Sequence, residues 1–455
     1  MVTTMAPARQ LSRKLELDRL PPEVLEPARR IRAAGGRAWL VGGSVRDRLL
    51  GGEPVDVDLA TDLRPERLAE AFPEADTRDL SLGVVQLGPG PEGASIVCLR
   101  EEGPYGDRRH PDHVRFVADV ARDALRRDFT VNALYCDLDT GAVVDPTGGL
   151  EDLGNGLLRT VGEASVRFGE DPLRLLRGLR FASRLQLEWD PVVRAAAVAA
   201  APLLASLSAT RVFEELTRVF CGHGRGRALR ELVALGFAQV LLPEVAAMDG
   251  VTQPPEYHPE GDVLTHVCMV LDLVPGDDVV LAWSAVLHDV GKPPTWVQGP
   301  DRIRFDGHDV LSETMADEVL RRLGAPSAVR EGVMAICREH IRFASLPAMR
   351  PRRREQFLRR PDFGRQLAFH RADCLGSHGK LDIHDAMAAE WRALPPVRPA
   401  LCSGSDVLAM GVPPGPDVGQ LLRALDDAID RMEAPDRTLA LAELRRLVDE
   451  RLKDR

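Results

Sequence analysis

Lysine is nearly absent from this 455-residue chain: of 59 basic residues only Lys14, Lys292, Lys380 and Lys453 are lysines, and the rest are arginines. A genome-wide composition bias accounts for such a ratio; so does a need for planar, bidentate guanidinium groups at phosphates. Cysteine is scarce in a more telling way. The seven residues, Cys98, Cys136, Cys221, Cys268, Cys337, Cys374 and Cys402, are odd in number, scattered and free of any C-x-x-C pair. That argues against a disulfide framework and against a cysteine-ligated zinc site. Long apolar runs are missing as well. The longest, Ala195 to Leu207, contains Pro202 and falls short of the roughly 20 residues a membrane-spanning helix requires. No apolar segment follows the basic residues of the N-terminus, so no secretory signal is read there. Reduced thiols and no visible anchor predict a cytoplasmic protein without a membrane partner.

What is present describes a large soluble protein. With 44% hydrophobic and 28% charged residues, the composition excludes disordered and fibrous classes, and the length sets a prior of about three domains. The net charge is −10, which by its sum argues against a polyanionic ligand. Its distribution argues the other way, because arginines gather at Arg126–Arg127, at Arg174, Arg177, Arg180 and Arg184, and between Arg350 and Arg360. The last run reads equally as a solvated face and as a track for an RNA backbone.

Residues 37 to 148 alternate short apolar, β-branched runs (Ala38–Val41, Val55–Leu59, Val84–Leu87, Ser95–Leu99, Val114–Val117, Val143–Val144) with Gly/Pro turns and a few helical stretches. This predicts an α/β domain. From Asp171 to about Phe237 the apolar residues recur at helical spacing, and after Pro254–Pro255 four further helices are predicted at Val263–Leu273, Val279–His288, Val310–Leu323 and Val329–Ile341. A Pro/Gly turn and a helix from Val418 to Met432 end the chain. The expected division is 1–150, 151–250, 251–400 and 401–455.

Two constellations carry chemistry. In the first, the strand Trp39-Leu40-Val41 runs into Gly42-Gly43-Ser44 and then Arg46. Glycine permits close backbone approach, a helix start favours an anion, and Arg46 adds a charged clamp, so this turn suits a phosphate. Asp56 and Asp58 follow at i and i+2 of an expected strand. On such a strand both carboxylates share one face. Paired like charges need cations, and oxygen-only ligands suit Mg²⁺ bound together with substrate phosphates.

A Gly-Gly-Ser turn followed at this distance by h-D-h-D-h resembles the nucleotidyltransferase fingerprint, and later segments narrow the resemblance. Arg100, Tyr105, Asp107, Arg109 and Pro111 resemble the flexible-loop segment of tRNA nucleotidyltransferases. Arg126 to Leu134 (RRDFTVNAL), Asp145 to Leu153 (DPTGGLEDL) and Glu170 to Arg177 (EDPLRLLR) follow in that family's order. The chain thus resembles the bacterial CCA-adding enzymes and the related poly(A) polymerases along most of its length. The resemblance implies an α/β nucleotidyltransferase head with a small mixed sheet in 1–150, then an all-α neck and body. It implies Mg²⁺ on the catalytic Asp56 and Asp58, and nucleotide contacts from Gly42, Gly43, Ser44, Arg46 and Arg127. Asp171 and Arg174 would read the base, with Arg177 and Arg180 in support. The substrates implied are tRNA, CTP and ATP. Asp171, Arg174 and Arg177 at i, i+3 and i+6 of a helix would share a face; an aspartate accepts from the amino group of C or A, and an arginine donates to the adjacent ring nitrogen. One position departs from many relatives: a third acidic residue there aligns with Ser95, leaving Glu101 or Glu102 as substitutes if two carboxylates do not suffice.

In the second constellation His266, the His288-Asp289 doublet with Gly291-Lys292 behind it, His308, His340 and Asp373 fall in one order across predicted helices. Imidazole and carboxylate together suit divalent transition metals. The order H, HD, H, H, D resembles the HD phosphohydrolases, here in an all-α domain behind a tRNA nucleotidyltransferase head. The resemblance implies a metal-dependent phosphohydrolase site in which those six residues are ligands, one centre or two. His258, His370, His378 and His384 read as ordinary core or surface residues. Three functions therefore compete: CCA addition, or addition of A alone; poly(A) synthesis; and an HD hydrolase whose head only binds RNA.

Overall fold

The computed structural model describes residues 11–54, 56–88, 94–106, 108, 111–395, 400–429, 432 and 436–453. Val55, Asp107 and Arg109, three residues singled out above, lie outside the described residues. The chain divides into two compact units, Met1–Ala389 and Glu390–Arg455.

The first unit begins as a mixed α/β head. Its sheet contains β1 (Ala38–Val41), β2 (Val57–Thr61), β3 (Val84–Leu87), β4 (Ala94–Cys98), β7 (Tyr135–Asp137) and β8 (Val143–Val144), in spatial order β3-β4-β2-β1-β7-β8. Two short strands, β5 (Arg100–Glu102) and β6 (Val114–Phe116), form a separate hairpin between β4 and β7 in sequence. All four residues of β1 are buried, as a central strand covered on both faces requires. Its neighbours β2 and β7 run antiparallel to it, and only β2 and β4 run parallel, in a register that sets Asp58 beside Ser95. The expected strand 55–59 is displaced: β2 starts at Val57, and Asp56 sits in a bend just before it. The buried run Leu59, Ala60 and Thr61 pairs with Leu40, Trp39 and Ala38, and that buried register fixes the strand's position.

Helices follow. The chain after the head packs around one continuous apolar core that includes Phe129, Leu179, Phe220, Trp283, Val333 and Phe369. Among its helices are α3 (Leu173–Arg184), α4 (Ala209–Phe220), α5 (Val263–Leu273), α6 (Val279–Leu287), α7 (His308–Arg322), α8 (Ser327–Glu339) and α9 (Phe363–Leu375). In the head, α1 (Pro22–Ala33) covers the sheet and α2 (Gly43–Leu49) follows β1. The second unit is helical, with its own core of Val407, Leu421, Leu425, Leu444 and Val448. No helix among the described residues is long and apolar enough to cross a membrane.

Gly178 is where α3 meets the floor of the head. A Cβ there would stand 2.5 Å from Trp189 Cη2 and 2.9 Å from Phe129 Cζ, and both rings are buried. Gly178→Ala is therefore expected to destabilise the fold by about 1–3 kcal/mol through overpacking, measured as a lowered denaturant midpoint at constant slope.

Candidate nucleotide cavity and a second, histidine-lined centre

The turn after β1 is built around Gly42, whose φ of +63° lies in the left-handed region. A Cβ at Gly42 would approach Arg127 Nη1 to 3.2 Å and the Asn132 carbonyl to 3.5 Å. Ser44 does something its sequence context does not announce. Its hydroxyl donates to the Asp56 carbonyl (2.8 Å) and accepts from the Asp58 amide (3.0 Å). The side chain thus clasps the acidic strand against the turn, and its proton is used in that clasp. Arg46 is buried and donates to Asp47 (2.8 Å) and to Asn132.

One cavity of about 580 Å³ gathers most of the residues the sequence suggested. Gly42, Gly43, Ser44, Arg46, Asp56, Asp58, Ser95 and Arg127 line it from the head; Asp171, Arg174, Arg177 and Arg180 line it from the helical segment that follows. Asp56 is exposed and Asp58 half-buried. Burial, with the neighbouring Asp56 charge, pushes the Asp58 carboxyl up, against the pull of Arg127 and Arg177. A cation would relieve that cost, and the donors offered are oxygens only, as Mg²⁺ prefers. Neither Glu101 nor Glu102 stands in for the missing third carboxylate. Glu101 pairs with Arg115 and Arg122 and does not line the cavity; Glu102 lines it but is held by Arg100 (2.6 Å), Arg126 (3.3 Å) and the Tyr105 hydroxyl.

The cavity's arginines form a lattice with its own counter-charges. Arg127 donates to Tyr135 Oη (2.8 Å) and Asp123 (3.3 Å); burial opposes its charge, but Tyr135 and Asp123 outweigh burial and raise its pKa. Arg177 pairs with Asp128 (2.7 Å), Arg180 with Glu215 (2.6 Å), and Arg46, Arg177 and Arg180 surround the Phe181 ring at 4.5 to 5.4 Å. Arg174 is held by Glu170 (2.5 Å) and the Arg167 carbonyl (3.0 Å).

The expected helix through Asp171 is corrected. Asp171 has φ −144° and ψ 101° and terminates the preceding helix, Ala164–Glu170; α3 starts only at Leu173. Pro172 is the cause, since a residue before proline is driven out of the helical region. Asp171 instead accepts the Leu173 amide on Oδ1 (3.1 Å), and so caps the helix that carries Arg174.

The six residues of the second constellation converge from five helices or their ends. His266 lies on α5, His288 and Asp289 just beyond α6, His308 at the start of α7, His340 at the end of α8 and Asp373 on α9. Nε2 of His266 stands 3.1 Å from Asp373 Oδ1 and 3.7 Å from Asp289 Oδ2, which is 3.2 Å from His288 Nε2. On the other side Asp289 Oδ1 is 3.5 Å from His308 Nε2 and 3.7 Å from His340 Nε2. Asp289 therefore stands between two triads, His266–His288–Asp373 and His308–His340 with its own second oxygen.

Three imidazoles use Nδ1 on backbone carbonyls: His288 on Ala285 (3.0 Å), His308 on Phe305 (2.8 Å) and His340 on Cys337 (2.7 Å). With Nδ1 donating, each neutral ring turns a bare lone pair inward, and His308 and His340 Nε2 are only 3.3 Å apart. Asp289 is buried; its Oδ2 is ion-paired with Lys292 Nζ at 2.7 Å, and its Oδ1 has no hydrogen-bond partner. Imidazole nitrogens converging on the Asp289 carboxylate form a donor set that fits a divalent cation. Burial lowers His340 to about 4. Burial also works against a charge on His266, but Asp373 and Glu260 hold its proton and raise it to about 9.

Glu260 was not foreseen from sequence. Its Oε1 lies 3.0 Å from His266 Nδ1 and 2.8 Å from His258 Nδ1, the place a carboxylate takes behind a histidine that binds a metal. His370, His378 and His384 stay outside both triads.

Residues 38–159 match the poly A polymerase head domain, and residues 187–248 match the model described as "Probable RNA and SrmB- binding site of polymerase A". The A-adding tRNA nucleotidyltransferase of Deinococcus radiodurans is 34% identical over 419 residues, covering 86% of this chain and 91% of that protein. The CCA-adding enzyme of Lacticaseibacillus paracasei is 28% identical over 409 residues, covering 88% and 90%. Among solved structures, the Bacillus stearothermophilus CCA-adding enzyme in complex with CTP superposes with a TM-score of 0.70 at 25% identity, over 96% of this chain and all of that one. The chain belongs to the bacterial CCA-adding class of the tRNA nucleotidyltransferase and poly(A) polymerase family.

Proposed function

We propose that this protein transfers CMP and AMP from CTP and ATP to the 3′ end of tRNA without a nucleic-acid template. The observation that carries the reading is that the acidic pair Asp56 and Asp58 and the edge-reading pair Asp171 and Arg174 line one 580 Å³ cavity, so a single triphosphate reaches both. Asp56 and Asp58 would hold Mg²⁺, which would supply activation of the 3′-hydroxyl and neutralise charge on the leaving pyrophosphate. The chain's own residues do the rest. The Gly42–Gly43 turn and Arg127 bind the triphosphate, with Arg127 kept charged and aimed by Asp123 and Tyr135. Ser44 lines the cavity and holds the acidic strand in place. Asp171 accepts from the amino group of C or A while Arg174 donates to the adjacent ring nitrogen; U and G present a carbonyl where the amino group is needed. Arg177 and Arg180 keep this wall positive. Most of the acceleration then comes from in-line positioning and charge stabilisation.

Residues 1–150 are assigned to the nucleotidyltransferase head, 151–250 to base selection and RNA binding, 251–400 to the HD phosphohydrolase and 401–455 to a helical tail. For 251–400 the buried Asp289 carboxylate set between two groups of imidazoles supports a divalent metal centre held by His266, His288, Asp289, His308, His340 and Asp373. Such ions polarise a phosphoester and acidify water, so a phosphohydrolase activity is assigned to this centre.

One incubation tests the main reading. With tRNA lacking its three terminal nucleotides, CTP and ATP together are expected to extend the RNA by a defined CCA end, and CTP alone by C only. Extension only of tRNA already ending in CC identifies an A-adding enzyme, the activity named for the D. radiodurans relative. A long A tail identifies a poly(A) polymerase. No extension under any combination sinks nucleotidyl transfer.

A further inference from the structure

Asp171 is held from outside the nucleotide cavity by a residue that no sequence resemblance singled out. Arg211 Nη2 lies 3.2 Å from each Asp171 carboxylate oxygen, yet Arg211 is absent from the cavity wall that Asp171 lines. The two residues are 40 positions apart and on different elements: Asp171 in the break before α3, Arg211 in the first turn of α4. Because Asp171 is not inside a helix, neighbouring turns do not restrict its side chain. Its one local anchor is the Leu173 amide on Oδ1.

The helix that carries Arg211 is organised in two opposed stripes. Arg211 and Glu215, at i and i+4, face the base-reading wall, where Glu215 takes Arg180 (2.6 Å). Phe213, Thr217 and Phe220, at i, i+4 and i+7, face Trp283 on α6. Phe213 stacks on the indole at 5.5 Å, Phe220 meets it edge-on at 5.1 Å, and Thr217 accepts its N–H at 2.9 Å. Residues two apart on a helix point about 200° apart, so the same helix is pinned on one side and braces Asp171 and Arg180 on the other. Trp283 and Glu215 are buried, and the Arg211 and Asp171 side chains are only 21% and 17% exposed, so the pair is largely shielded from solvent.

We propose that Arg211 is a specificity-positioning residue: it fixes the Asp171 carboxylate in the one orientation that accepts a cytosine or adenine amino group, without touching the nucleotide. A carboxylate offers about four lone-pair sites. Arg211 takes a site on each oxygen and the Leu173 amide a second on Oδ1, which leaves about one, on Oδ2, for the base. Without Arg211 the side chain rotates, and an orientation that no longer demands an amino group admits U and G. The proposal rests on the reading of Asp171 as the base acceptor.

The test compares Arg211→Met, Arg211→Gln and Asp171→Ala with wild type, measuring single-nucleotide incorporation from each of CTP, ATP, UTP and GTP onto truncated tRNA, with melting temperatures alongside. For Arg211→Met the ratio of kcat/KM for CTP over UTP is expected to fall at least about tenfold, mostly through a raised KM for CTP. Arg211→Gln, which keeps a donor without the charge, restores part of the ratio. An unchanged ratio in both Arg211 variants, or equal loss for all four nucleotides, overturns the proposal, the second because that is what simple loosening of the fold produces. If Asp171→Ala keeps full selectivity, the base-acceptor reading itself fails and the proposal with it; selectivity lost in Asp171→Ala but retained in both Arg211 variants defeats the proposal alone.

Discussion

Asp58→Asn is expected to abolish nucleotide incorporation, by at least about a thousandfold, while tRNA binding is unchanged and the metal-free protein becomes more stable. The two effects have one origin. Asp58 sits half-buried beside Asp56 on a strand edge that faces the cavity, and burial followed by the like charge of Asp56 raises its pKa in spite of Arg127 and Arg177. A carboxylate whose folded pKa lies above its unfolded value, about 3.9, makes folding less favourable at every pH where the unfolded group is ionised. Below that value both states are protonated and the cost vanishes. Asn removes the charge and keeps the size, so the variant gains stability at pH 7 to 8, roughly to the extent that the charge was desolvated, and the gain closes as pH falls below about 4. Chemical denaturation in a chelating buffer at several pH values measures it. Wild-type incorporation by the variant defeats the assignment of Asp58; inactivity together with lost stability means the loss is of fold and not of chemistry.

Much of this was legible before any coordinates, and the pattern of what was not is physical. Val263–Leu273 forms the helix expected at the expected boundaries, because a run of apolar residues at one period records its own burial. The acidic strand came out two residues late, since its position is set by pairing with Ala38–Leu40 and not by the Asp residues that draw attention to it. Asp171 was placed on a helix by counting, though Pro172 already carried the signal that the helix breaks there. Ser44 follows two glycines and lines the cavity; that its hydroxyl also binds backbone groups 12 and 14 residues away is something no local pattern reveals. Glu260 and Arg211 belong to the same class. Each supports a residue visible in a motif, from an element far off in sequence, and support of this kind leaves only an ordinary charged residue in the chain. Glu260 had one weak cue, its place in the His258-Pro259-Glu260 segment leading into α5.

Asp289→Asn is expected to empty the histidine centre of both ions and to remove phosphoester hydrolysis, assayed with bis-p-nitrophenyl phosphate, while CCA addition continues at the wild-type rate. Loss of a group that merely supports a ligand costs about 10–100-fold in metal affinity, and Asp289 presents one oxygen to each triad, so its loss exceeds that range on both sides. His308→Ala separates the halves: it should lose one ion and keep the other, because His308 approaches only Oδ1 of Asp289. Proton linkage gives a second measure, independent of hydrolysis. In the metal-free protein His266 is protonated up to about pH 9, burial opposing the charge but Asp373 and Glu260 holding it. A cation must displace that proton, so apparent affinity weakens as pH falls from 9 toward 6 and calorimetry in buffers of different ionisation enthalpy records proton release. The same raised pKa stabilises the metal-free fold fully below the unfolded histidine value of about 6.5 and loses that contribution as pH rises through about 9. Loss of nucleotide addition in Asp289→Asn, with the melting temperature intact, would contradict the separation of the two activities, for α6 leads directly into His288 and packs through Trp283 on the helix that braces Asp171. Retained addition with both ions gone means that packing along this path holds the base-reading wall without help from the metal.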